Sequence, residues 1–142
     1  MHPRLLLLCA LVLAFAHSAL ASDVIAGPVR AEVLRVVDGD TLAVRALVWP
    51  GQHIDIKVRL AGIDAPELFR PHCPAERARA ALARDFVRVH TGAIISLRAV
   101  HLGKYAGRVV ARVQTGKGED LSALLMQAGL ARDIQDRKPW CF

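Results

Sequence analysis

Two acidic turns, one hairpin's length apart, set the chemistry open to this chain. Val37-Asp38-Gly39-Asp40-Thr41 closes one β-rich apolar run, and Arg59-Leu60-Ala61-Gly62-Ile63-Asp64-Ala65-Pro66-Glu67 closes another. Asp40 and Asp64 stand where a strand gives way to a turn, so their side chains can leave the sheet and meet. Two carboxylates, a backbone carbonyl and waters suit Ca²⁺, a hard cation that accepts irregular oxygen shells. No His/Cys set supports zinc or a softer metal. Alone, Asp38-Gly39-Asp40 reads as an ordinary hairpin turn; the second acidic turn is what moves the reading toward a site.

Glu67 follows Pro66, whose ring stiffens the turn and aims the carboxylate. Beside a hard cation, such a glutamate could take a proton from an attacking water or hold that water in place; taken alone, it is as readily a surface acid. Arg59 interrupts an apolar strand, and a charge there needs an anion, either a neighbouring carboxylate or a bound phosphate. Strict alternation puts Arg59 and Asp64 on opposite faces, so their convergence requires the strand to end or bulge near Gly62. A third cluster, Lys104-Tyr105-Ala106-Gly107-Arg108, joins two cations and an aromatic ring at a strand start. Arg108 could grip a phosphoryl oxygen there, although the segment by itself reads as a solvated hairpin loop.

The elements that must position these residues are short. Val29–Val37, Thr41–Val48 and the alternating Ile54–Leu60 predict three strands in a meander. A helix follows, with Pro74 in its first turn, an apolar stripe of Ala78, Leu82, Phe86 and Val89, and Thr91-Gly92 as its stop. Ala93–Val100 and Arg108–Val113 predict two more strands, and Asp120 caps a second helix over Leu121–Ala128. This order predicts an α+β, mainly β fold: a five-stranded OB-fold barrel with helices packed against it.

Residues 1–21 read as a cleaved secretory signal peptide: Arg4, an apolar stretch from Leu5 to Ala16, then Ala19-Leu20-Ala21. The apolar run falls short of the roughly 20 residues that span a bilayer, and Cys9 sits too early for a lipoprotein site. Residues 22–142 then form one domain, exported to a periplasm or the outside and without a stable membrane span. The formal charge of +6 favours an anionic partner, nucleic acid or a membrane surface. Without the leader, Cys73 and Cys141 remain. In an oxidising compartment an even pair reads as one disulfide, closing a loop of roughly 70 residues worth about 4 kcal/mol in the chain-entropy view. A zinc site from His72, Cys73 and Cys141 is the competing idea, and it has no close second ligand pair.

Together these residues resemble the staphylococcal nuclease-like (thermonuclease) family over nearly all of Val29–Gly129. The likeness rests on Val-Asp-Gly-Asp-Thr at 37–41, Arg-Leu-x-Gly-Ile-Asp-x-Pro-Glu at 59–67 and Lys-Tyr-x-Gly-Arg at 104–108, with weaker support from Gln127-Ala128-Gly129-Leu130-Ala131. The resemblance implies that Asp40, Asp64 and the Ala65 carbonyl bind Ca²⁺, with Asp38 and Thr41 behind them. Glu67 would orient or deprotonate the water, Arg59 and Arg108 would clamp the phosphate, and Lys104 and Tyr105 would contact the nucleotide. The implied activity is cleavage of DNA and RNA with little sequence preference, leaving 3′-phosphate ends, by a monomer. The chain also departs from the family. Ala65 replaces a common threonine, Gly103 stands where an acid often precedes Lys-Tyr, and Ala106 looks inserted. The connection after Glu67 is shorter, and two tyrosine positions that help bind the terminal nucleotide fall on Gln135 and Arg137.

Two other readings use the same residues differently. A non-catalytic OB-type module would bind nucleic acid through its basic face, but acids where polyanions dock repel phosphate. A disulfide-stapled envelope protein that binds protein or glycan would need no metal.

Overall fold

The computed structural model of the protein describes residues 23–141. The expected leader lies outside the described residues. β1 (Val29–Asp38), β2 (Thr41–Trp49) and β3 (Gln52–Leu60) form the expected meander, followed by the two-residue β4 (Ile63–Asp64) and the helix α1 (Pro74–His90). β5 (Ile94–Leu102), β6 (Arg108–Gln114), the helix α2 (Leu121–Gln127) and the short β7 (Arg132–Asp133) complete the chain. The five long strands close into a barrel in the order β1-β2-β3-β6-β5. Every neighbouring pair is antiparallel except β3 and β6, which run parallel with Lys57 beside Arg108 and Arg59 beside Val110. This is the expected OB-type barrel with two helices packed against it.

Alternation fills the barrel. Leu42, Val44, Val58, Leu60, Ile95, Leu97 and Val113 point inward and are almost wholly buried, while Lys57 and Arg59 alternate with them on the outer face of β3. Leu121 and Leu125 of α2 close one side. The inward pattern of β3 fades toward its start: Ile54 is exposed and Ile56 is half-buried, because the β2–β3 hairpin extends beyond the barrel wall.

The buried face of α1 differs from the expected stripe. Glu76, Ala80, Ala83 and Val87 face the protein, whereas Ala78, Leu82 and Val89 are exposed and Phe86 is only partly covered. Small side chains are selected here because the helix runs close to the first acidic turn. A Cβ on Gly39 would meet the Cβ of Ala83 at 2.7 Å, so glycine at 39 and alanine at 83 let turn and helix touch. Counting large apolar residues picks out the wrong face when contact needs small ones.

β4 and β7 pair antiparallel, Ile63 with Asp133 and Asp64 with Arg132, as a small second sheet that the sequence pattern did not predict. β5 is displaced from the expected Ala93–Val100 and runs on to Leu102, leaving a five-residue loop, 103–107, before β6. Cys73 and Cys141 are bonded to each other, so the zinc alternative is excluded. The bridge spans a sequence separation of 68 and ties the tail to the N-terminus of α1.

Candidate active site

Arg59 is the hub of the acidic constellation. It projects from the outer face of β3, paired across the ladder with Thr41 at the start of β2. Its Nη1 lies 2.7 Å from Asp40 Oδ2, and its Nη2 lies 4.0 Å from Asp64 Oδ1. The strand break that alternation requires is present. β3 ends at Leu60, Gly62 adopts a φ of +78°, and the chain re-enters extended structure at Ile63 with Asp64 turned toward Arg59. Glycine reaches that φ without steric cost.

Asp40 is fixed from several sides. Its backbone N–H donates to Asp38 Oδ1 at 3.1 Å, which shapes the turn. Thr41 Oγ1 donates to Asp40 Oδ1 at 2.8 Å, and the Leu60 N–H donates to the Asp40 carbonyl at 2.8 Å. Burial pushes the Asp40 carboxyl up to about 7, with neighbouring Asp38 adding to the rise and Arg59 pulling against it. The exposed Glu67 is also raised, first by partial desolvation and then by Asp38, against the opposing charge of Arg59.

Among the described residues no three His, Cys, Asp or Glu side chains are grouped so as to hold a metal ion. The acidic centre instead offers two carboxylates that converge on one guanidinium, with the buried backbone of Ala65 next in the chain. Two carboxylates share the single Arg59 guanidinium, with Asp38 close by, so the acids outnumber the positive charge, and a divalent cation would supply the remainder. These residues therefore fit a hard, oxygen-bound cation completed by water rather than an all-protein cage.

The basic cluster lies beside this centre. Arg108 opens β6 next to Lys57, on the same outer face as Arg59. Its guanidinium carbon sits 5.2 Å from the centre of the Tyr105 ring, and the Lys104 ammonium lies 5.6 Å from it on the same loop. Arg108 Nε is buried without a hydrogen-bond partner among the described residues. A cavity of about 610 Å³ joins Asp38, Thr41, Lys57, Tyr105 and Arg108, with the exposed ring of Phe69 at its edge. The expected residues thus fall into two adjoining groups. Asp40, Asp64 and Arg59 touch, while Tyr105 and Arg108 line the neighbouring cavity and Lys104 lies against the Tyr105 ring.

Two residues that sequence reasoning missed support the site. Glu76, in the first turn of α1, is buried. Its Oε1 accepts the Glu67 backbone N–H at 3.1 Å, its Oε2 accepts the His72 N–H at 2.7 Å, and His72 Nδ1 lies 3.0 Å from Oε2. Burial alone would raise this carboxyl, but these bonds outweigh it and hold the group below the usual glutamate range. Its position, three residues after the Cys73 cap, follows the capping-box spacing, a local signal that could have found it. Trp140 donates from Nε1 to Asp64 Oδ2 at 3.1 Å across 76 residues, and nothing in the local sequence announces that contact. A second cavity, about 560 Å³, is walled by Asp64, Glu67, Glu76, Arg137 and Trp140. Of the two tyrosine-replacing positions, Arg137 lines it and Gln135 does not.

The fold is thus a closed OB-type barrel with an acid-and-arginine centre between two clefts. The match to known proteins agrees: a family model described as staphylococcal nuclease homologue covers residues 57–140, and the chain belongs to that family. The matched stretch includes Arg59, Asp64, Glu67 and Arg108, while Asp40 precedes it. Protein ParB of Escherichia coli is 43% identical over 79 residues, which cover 53% of this chain and 41% of that protein. The chain therefore spans less than half the length of that relative. Among the described residues no helix is long and apolar enough to cross a membrane.

Proposed function

We propose that the protein is an exported, Ca²⁺-dependent nuclease that hydrolyses phosphodiester bonds of DNA and RNA with little sequence preference. The observation that carries this reading is Arg59 in contact with both Asp40 and Asp64, with the exposed carboxylate of Glu67 three residues beyond Asp64. Asp40, Asp64 and the Ala65 carbonyl would hold Ca²⁺, which supplies Lewis-acid neutralisation of the phosphate. Asp38 and Thr41 keep the Asp40 side chain in place.

Glu67 orients a water against phosphorus and takes its proton, and its raised affinity for protons suits that task. The water oxygen bonds to phosphorus as the P–O5′ bond breaks, and the departing O5′ takes a proton from solvent, leaving a 3′-phosphate and a 5′-hydroxyl. Arg59 and Arg108 stabilise the charge that builds on the phosphoryl oxygens. Lys104 and Tyr105 contact the flanking nucleotide from the cavity beside Arg108. The disulfide agrees with an oxidising compartment. A pure binding module has no use for buried acids beside a phosphate site, because each repels the ligand.

End-group analysis of cleaved oligonucleotides tests the direction of bond breaking. Fragments should carry 3′-phosphates that a phosphatase removes. Fragments bearing 5′-phosphates would contradict the roles given to Glu67 and the two arginines.

A further inference from the structure

We infer that Trp140, held by the disulfide-anchored tail, is a positioning residue for the Asp64 carboxylate and sets the cation affinity of the site. The inference rests on the reading of Asp64 as a cation ligand and extends it to a segment with no assigned part in that site. Asp40 is buried and gripped by Arg59 and Thr41, but the Asp64 side chain is about 40% exposed. Its only side-chain hydrogen bond among the described residues comes from the Trp140 indole. Rotation about the last bond of an aspartate is soft, so an unsupported carboxylate at an open site swings. The indole N–H takes Oδ2 and leaves Oδ1 turned to the Arg59 side, 4.0 Å from Nη2. Hydrogen bonding to the outer oxygen of a ligating carboxylate is a general means of orienting a metal ligand.

The tail is built to keep that indole still. Arg132 pairs with Asp64 between β7 and β4, and its guanidinium carbon lies 3.5 Å from the centre of the Trp140 ring. The same guanidinium donates to the Lys138 carbonyl at 2.7 Å and to the Pro139 carbonyl at 3.4 Å. The Ile134 N–H donates to the Gly62 carbonyl at 3.1 Å, and Cys141, next to Trp140, is bonded to Cys73. Asp64, Arg132 and Trp140 thus close a ring of contacts sealed by the bridge, and opening the bridge frees the end that carries the indole.

Calorimetric Ca²⁺ titration tests this in wild type, Asp64→Asn, Trp140→Phe, the Cys73→Ser/Cys141→Ser pair and the combination of the last two. Trp140→Phe should bind Ca²⁺ about 10- to 100-fold more weakly at an unchanged melting temperature. The cysteine pair should show a similar loss, and the combination should add little to either. In ¹⁵N-resolved spectra the Trp140 indole signal should move on Ca²⁺ addition and in Asp64→Asn, while the signal of Trp49, 72% exposed, stays put. Wild-type affinity in Trp140→Phe, with binding lost in Asp64→Asn, would overturn the positioning role alone. No Ca²⁺ binding by the wild type would overturn the cation reading of the site and this inference with it.

Discussion

Arg59 reaches Asp40 at 2.7 Å, although its ladder partner is the next residue, Thr41. A strand cation therefore neutralises a carboxylate held in the adjoining turn, and the pair is mostly shielded from solvent. Breaking a buried pair leaves an uncompensated charge and costs about 3–5 kcal/mol. Arg59→Ala should lose stability in that range by urea unfolding in metal-free buffer, and Arg59→Ala/Asp40→Ala should recover part of it. Additive losses would show that the two residues act independently.

Arg108 has a buried Nε without a hydrogen-bond partner among the described residues and a guanidinium shelved on Tyr105. Under the proposed function Arg108 stabilises charge that develops on the phosphoryl oxygens, so Arg108→Ala should lower kcat by about 10²–10³-fold. Lys117, exposed in a turn remote from both clefts, serves as the comparison, and Lys117→Ala should leave the rate unchanged. Equal rates in the two variants would remove Arg108 from the machinery.

Glu76 links pH to stability. Its folded-state proton affinity is lowered below the ordinary value of 4.5, so its contribution is present above that value. It is lost as pH falls through the lowered folded value. Glu76→Gln, which weakens the bonds to the Glu67 and His72 N–H groups, should cost about 1–3 kcal/mol at pH 7. The gap to wild type should close in the acid range below 4.5. Thermal unfolding across pH reads this, and a pH-independent gap would mean that Glu76 acts by packing rather than charge.

Gly39 tests how closely the acidic turn and α1 approach. Gly39→Ala places a methyl group 2.7 Å from the Ala83 Cβ and should destabilise by about 1–3 kcal/mol, the usual cost of overpacking. Ala83→Gly in the same chain should relieve part of that cost beyond its own helix penalty.

Much of this arrangement was legible in the sequence because its signals are local. The two acidic turns, the alternation of β3, the Asp120 cap and the Pro74 helix start each depend on residues within a few positions of one another. The barrel followed from their order, and Cys73–Cys141 from the two cysteines that remain once Cys9 is assigned to the expected leader. The buried side of α1 was misread because its contacts are alanines and a glutamate, which hydrophobicity does not mark, while Leu82 and Val89 face solvent. The β4–β7 pair and the Trp140–Asp64 bond join positions far apart in the chain, so only the closed tertiary structure brings them together. Arg59 lay between these cases: its need for an anion was readable, and its partners became definite with the turn at Gly62.

The most direct test of the nuclease reading is cleavage of single-stranded DNA by the purified protein, with Ca²⁺ or with chelator, beside Glu67→Ala. The Glu67 side chain is exposed, so its removal should spare the fold. Cleavage that requires Ca²⁺ and falls by about 10²-fold or more in Glu67→Ala is the expected result. DNA bound yet left uncut by the wild type with Ca²⁺, or cut equally well with chelator or without the Glu67 carboxylate, would contradict it.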